Sequence, residues 1–390
     1  MRMLSVRNER GIALVVAIVA LVVIGAIITG TFFMSTIEQR TAMNASNTSR
    51  AFEAAEAGMH ATIGSWVPVS YAPGTDVTFG KTAVPNAVGD TFQVTVSPLN
   101  AELLLVRSVG TSIGGATQTL ASAVRLNTAD VNVTAAITTT SPINFNGAAF
   151  VVNGNNSDPA GWNACPPGTD HYAIRTSSNQ WFVPPMQQNQ QDNVTGLGNW
   201  PSVQTNQSDI NSNTFTNFGD VTYDQMAAYA SIQFGNSQTG PYQPTPTLNA
   251  ASGRCNYGNI YNWGEPWRTP GYIAECANYF PTIHAMGNLH LNGGSRGQGI
   301  LLVDGDLTVT GGFQFYGLVI AKGSVDLGGT GSDGGKIFGG LFSQNIEIND
   351  QSLIQGNASV QYSNCAILRA LTGGALPVPL SGHAWTQVYN

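Results

Sequence analysis

The 390-residue chain is poor in charge: Asp, Glu, Lys and Arg make up 9% of it, where an average soluble protein has about 25%. Only three lysines occur (Lys81, Lys322 and Lys336), and 15 Lys plus Arg stand against 22 Asp plus Glu, for a formal net charge of -7. No basic surface exists to bind a polyanion by releasing its counterions, which excludes nucleic acid as a partner. Cysteine is scarce as well. None of the four (Cys165, Cys255, Cys276 and Cys365) lies in a CxxC pair or beside a His at ligand spacing, so no metal and no other cofactor is expected. The zinc-hydrolase pattern HExxH is missing. With little Lys and Glu, and with 45 glycines, the composition disfavours a helical cytoplasmic enzyme and favours turn-rich β structure.

What is present begins with an uncharged apolar run of 24 residues, Gly11 to Met34, long enough for a helix to cross a bilayer core of about 30 Å. Arg2, Arg7 and Arg10 stand before it, which places the N-terminus in the cytoplasm and the rest outside. The run is too long for a secretory signal core of about 7–15 residues, and no clear AxA site follows it. Ser35 to about Ser65 contains no Pro, and its sparse apolar stripe of Ile37, Met43, Phe52, Ala55 and Met59 lets the helix continue. The spacing therefore predicts one rod of roughly 80 Å, apolar all round in its first half and amphipathic in its second.

The short basic leader ending in Gly11, the opening Ile-Ala-Leu-Val-Val, then Glu38-Gln39-Arg40 and Ala51-Phe52-Glu53-Ala54-Ala55-Glu56-Ala57-Gly58 together resemble the N-terminal region of PilX-type minor type IV pilins. The resemblance covers about Arg7 to Gly58. It implies cleavage by prepilin peptidase after Gly11, methylation of Ile12, and a retained helix whose Ile12, Leu14, Val16, Leu21, Ile24 and Ile28 face membrane or neighbouring pilins. It also implies residence in the inner membrane, single-pass, before passage through the membrane assembly machinery to the cell surface. Major pilins carry Glu at the fifth mature position, where it pairs with a neighbour's terminal amine; here Val16 stands there. That departure implies a minor subunit. The competing reading is a signal anchor carrying an envelope β-helix protein that binds or cleaves polysaccharide.

The C-terminal third repeats. Gly287–Gly293, Gly305–Gly311 and Gly323–Gly329 begin 18 residues apart, and Gln344–Asn349 follows 21 residues after the last, with Asn357–Tyr362 as a weaker fifth copy. Second apolar runs, Gly299–Val303, Tyr316–Ile320 and Phe338–Phe342, lie between them. Such units stack into a parallel β-helix or solenoid, with glycines at tight corners. The expected class is mainly β with one long N-terminal helix. Its divisions are a leader (1–11), the helix (12–66), a small antiparallel sheet (67–130), first solenoid rungs (131–154), a loop-rich insertion (155–283), the solenoid (284–370) and a tail (371–390).

In this register His290, Thr308, Asp326 and Glu347 share one position of four units. A His with two carboxylates could hold a cation or do acid–base work. Alternate positions of any such strand face water, however, and that is the reading the sequence favours. No Lys or Arg joins the ladder, so a non-catalytic protein is expected. Asp304 and Asp306 flank a turn and, with Asp333, could ligate calcium, although Asp commonly satisfies turn backbone instead. His284, before the first clear rung, reads as a packed or capping histidine. Trp162, Trp181, Trp200, Trp263 and Trp267 could make an adhesive or carbohydrate-binding surface, with burial the favoured alternative. The four cysteines allow three pairings; sequence proximity favours Cys255 with Cys276, leaving Cys165 with Cys365.

Overall fold

The computed structural model describes residues 10–64, 66, 76–100, 102–146, 149–184, 187–235, 241–328, 334–343, 353–355, 357–380 and 386–388. One helix, Arg10–Gly64, runs unbroken for 55 residues, about 80 Å at 1.5 Å per residue. Threonines within it return their O–H to carbonyls of their own helix. Thr29 donates to Gly25 O at 2.8 Å, Thr31 to Ile28 O at 2.9 Å and Thr36 to Phe33 O at 2.8 Å.

The second half of the helix lies on an antiparallel sheet whose centre is Thr91–Pro98, Leu103–Thr111 and Thr117–Asn127. These strands alternate as half-buried strands must. Phe92, Val94, Val96, Leu104, Val106, Val124 and Leu126 turn inward and meet Ala55 and Met59 of the helix in one core. Small residues set the approach. A Cβ on Gly110 would stand 2.1 Å from Ala51 O, and one on Gly58 would stand 2.7 Å from the Phe92 ring. An ion pair fixes the same joint. Arg50 reaches Asp90 at 2.9 Å, and the Ile113 N–H donates to the other Asp90 oxygen at 2.8 Å. That backbone N–H, together with Arg50, holds the Asp90 carboxyl below the usual carboxylate range against the opposing effect of burial.

The edge of this sheet comes from the far end of the chain, where Leu376–Pro379 pairs antiparallel with Thr117–Asn127. Leu380 donates its N–H inward to Ala123 O, so by alternation positions 377 and 379 turn theirs outward. Both are proline, and this stretch of edge offers no donor to a passing strand.

Apart from a two-stranded antiparallel ribbon, Asn217–Phe218 with Val221–Thr222, the remaining sheets are parallel. One sheet runs Leu289–Leu291, Leu307–Val309, Val325–Leu327, Leu353–Gln355, Asn144–Asn146. A larger one contains Thr282–Ala285, Arg296–Val303, Gln314–Ala321, Lys336–Ser343 and Ser359–Tyr362 in that order. The chain alternates between them, and the register Leu307↔Val325 and Leu301↔Val319 reproduces the 18-residue repeat. Gly299, Gly317 and Gly339 stand side by side at φ of 114°, 141° and 141°. A Cβ on any of them would lie 1.9–2.1 Å from the carbonyl oxygen of the preceding rung. This column must therefore be glycine. The larger sheet is buried on both faces, one of them under the C-terminal helix Asn364–Gly373, which Ser363 caps by accepting the Ala366 N–H at 3.3 Å.

Several features differ from the sequence expectation. First, the neighbour of Asp326 in the next rung is Leu353, not Glu347, which lies outside the described residues, as does Asp333. Second, the 144–153 rung stacks beside 353–362 rather than ahead of 289–303, so spatial order departs from chain order. Third, the segment expected to be loop contributes Tyr172–Thr176, Val194–Thr195, Val203–Gln204 and Ile232–Phe234 to the larger sheet. Strands of two to five residues are too short to register as alternation in a sequence rich in Asn and Pro. The same segment also holds a short helix, Tyr223–Ala228, and the expected tail supplies the edge strand described above.

Candidate functional site

The most extensive candidate surface is the first half of the long helix. Leu14, Val16, Leu21, Ile24 and Ile28 are all more than half exposed, Leu21 most at 69%. They lie in a helix long and apolar enough to cross a membrane. Gly11 and Ile12 lie within the first turn of the helix, which starts at Arg10. Among the described residues no other element covers this half, whereas Ala51, Ala54 and Ala55 of the second half are buried. One helix thus carries two chemistries: an unpartnered apolar cylinder, and a small-residue stripe docked on a sheet. An apolar cylinder of this kind is stable in lipid or against other apolar helices.

The polar ladder is partly assembled. His290, Thr308 and Asp326 are neighbours in register, and His290 Nε2 lies 3.0 Å from Thr310 Oγ1. Burial raises the Asp326 carboxyl, with His290 opposing, and one Asp326 oxygen has no hydrogen-bond partner among the described residues. As described, the ladder holds one imidazole and one carboxylate.

A second polar group forms where the larger sheet meets the short helix. His284 Nε2 lies 2.9 Å from Asp304, and Lys322 Nζ donates to the other Asp304 oxygen at 3.0 Å while standing 4.0 Å over the Tyr223 ring. Burial pushes Asp304 up, but the hydrogen bonds from Lys322 and His284 outweigh it and hold the carboxyl below its usual range. Burial and the Asp304 charge push the Tyr223 hydroxyl well above its ordinary value. Asp306 accepts the Ser324 N–H at 2.8 Å, so it satisfies turn backbone. Nothing in the sequence neighbourhood of Lys322 or Tyr223 points to this group around Asp304.

Cys165 is bonded to Cys365 across 200 residues, and Cys255 to Cys276 across 21. Among the tryptophans, Trp162 and Trp263 are buried, Trp181 and Trp267 are partly buried, and Trp200 is exposed. Trp162 is gripped by cations, with Arg268 and Arg369 at 5.3 and 4.9 Å from its ring centre. The loop closed by the second disulfide is anchored by Glu265, fully buried, which receives Arg296 at 2.6 Å on each oxygen. The N–H groups of Trp267 and Ile273 also donate to it, each at 3.2 Å. This pair, 31 residues apart, carried no signal in the sequence.

Residues 10–60 match the family described as PilX N-terminal. That span is the long helix almost to its end, so this region of the chain is type IV pilin-like. No curated protein matches. Among solved structures, the competence-associated pilin ComZ from Thermus thermophilus aligns over 88% of this chain and 98% of that one, at 13% identity and a TM-score of 0.23. A likeness that slight carries no argument about the fold.

Proposed function

We propose that this chain is a minor pilin-like structural subunit of a type IV pilus or a related filament. In this reading prepilin peptidase cuts between Gly11 and Ile12, and the helix sits in the inner membrane with its N-terminus cytoplasmic until assembly. The observation that carries the proposal is the coincidence of the PilX N-terminal match, residues 10–60, with a helix that is exposed and apolar before Met34 and docked after Ala51. A plain anchor needs only the first half of that helix.

The mechanism is non-catalytic. During assembly the apolar half exchanges lipid tails for neighbouring pilin helices, so apolar burial is nearly conserved and side-chain packing decides incorporation. Self-satisfied threonines let that half reside in either surrounding without an unmet hydroxyl. Val16 in place of an acidic residue removes a costly buried charge, and with it a device for register, which suits a subunit present in few copies. The two parallel sheets with their 18-residue offset support reading the head as a β-solenoid. Such a head is displayed for filament priming or surface adhesion, the latter toward a carbohydrate or other surface ligand. The partners are other pilins, the peptidase and the membrane assembly machinery.

Sheared surface filaments are expected to contain this chain, and Leu21→Arg is expected to remove it from them. A charge at the centre of a spanning helix costs about 2.5–3.5 kcal/mol on insertion scales. Retention of the wild-type chain entirely in the membrane pellet would contradict the proposal and favour the anchored envelope protein.

A further inference from the structure

A cleft of about 620 Å³ opens where the end of the long helix, the antiparallel sheet, the short helix and the disulfide loop converge. That is within the range of about 300–1,000 Å³ typical of small-molecule sites. Two tyrosine rings stand in it with open faces, Tyr229 at 71% exposure and Tyr257 at 39%. Tyr279 forms part of its floor, with its ring 5.0 Å from that of Tyr257 and steeply inclined to it. Tyr279 is only 1% exposed, yet its hydroxyl has no hydrogen-bond partner among the described residues. An orphaned buried hydroxyl is costly unless something else satisfies it. Asn127, Asp220 and Ser231 also line the cleft, and their side chains are not engaged by other described residues.

The chemistry of this lining is selective. No Lys or Arg is among the described lining residues, so a phosphorylated or sulfated ligand finds no counter-charge. A purely apolar ligand would leave Asp220, Asn127 and the Tyr279 hydroxyl unmatched. A pyranose matches both features, since its C–H face stacks on an aromatic ring and its hydroxyl rim meets amide, carboxylate and phenol. We propose that this cleft is a binding site for a neutral oligosaccharide, with Tyr229 and Tyr257 as stacking faces and Tyr279 and Asp220 bonding the hydroxyls. The site is preorganised. Tyr257 and Tyr279 follow Cys255 and Cys276 by two and three residues, so the disulfide that joins those cysteines sets the spacing of the rings, and little ordering is left to oppose binding. The assignment holds whether the N-terminal helix serves a filament or a simple anchor.

The test uses the full chain in micelles of a detergent without a sugar headgroup, titrated with maltotriose, cellotriose and chitotriose and followed by saturation-transfer NMR. Saturable binding of at least one trisaccharide is expected, weakened about tenfold by Tyr229→Ala and by Tyr257→Ala and about fivefold by Tyr279→Phe. Trp200→Ala, which removes an exposed aromatic outside the cleft, is expected to change nothing. Because Tyr229 is so exposed, its variant keeps the test valid should a Tyr257 variant fold poorly. Absence of saturable binding by all three sugars would overturn the proposal. So would binding indifferent to both tyrosine truncations, or capture of a proline-rich peptide that the sugars do not displace.

Discussion

Replacing Cys165 and Cys365 together by alanine is expected to cost the head about 4–5 kcal/mol, the largest loss from removing any single cross-link. The bond joins residues 200 apart, so its loss returns a very long closed loop to the unfolded ensemble. On the loop-closure account the Cys255–Cys276 bond, with a separation of 21, is worth only about 3 kcal/mol. The longer bridge also clamps the C-terminal helix, since Cys365 lies in its first turn and packs with Trp162, Phe280 and Tyr316. Helix and edge strand therefore loosen together. Urea unfolding followed by tryptophan fluorescence checks this. The midpoint should fall further for the Cys165/Cys365 variant than for the Cys255/Cys276 variant, and equal midpoints would contradict the account.

Glu265→Ala is expected to destabilise the head by about 3–5 kcal/mol, the usual cost of removing one partner from a buried ion pair. The carboxylate is fully buried and receives four donors: two from Arg296 and the N–H groups of Trp267 and Ile273. Truncation strands the Arg296 guanidinium, which is stacked 4.2 Å over the Trp267 ring, and leaves both amides unmet. Converting both partners, Glu265→Leu with Arg296→Met, is expected to recover much of the loss, because no charge is then left unpaired. Thermal unfolding of the three variants distinguishes the cases. A single variant within about 1 kcal/mol of wild type would show that the pair does not anchor the loop.

Much of this was legible because periodicity is local. An uncharged run of 24 residues and an AFEAAEAG continuation declare a helix with two different halves. Three glycine-led copies at equal spacing declare equal parallel rungs, and the glycine column at 299, 317 and 339 lies in the second apolar runs that follow those copies. Register after Leu327 was not legible. Ile346-Glu347-Ile348 and Leu353-Ile354-Gln355 are both short apolar runs of β-forming residues, and their local patterns give no reason to prefer the second as the partner of Val325–Leu327. Nor could a sequence reveal that the 144–153 rung would stack against 353–362, because a parallel stack can be extended from either end. Trp162 and Trp263 are interior, in line with the burial the sequence favoured, while the rings that line the cleft, Tyr229 and Tyr257, come from separate segments and share no motif. Long-range ion pairs such as Glu265–Arg296 follow only once the chain path is known.

The mature N-terminus tests the central claim most directly. Mass spectrometry of the chain from cells with an active prepilin peptidase is expected to give a product beginning at a methylated Ile12, while cells lacking the peptidase retain the leader through Gly11. An uncut chain beginning at Met1 in both strains would contradict the pilin-like account and leave an anchored envelope protein.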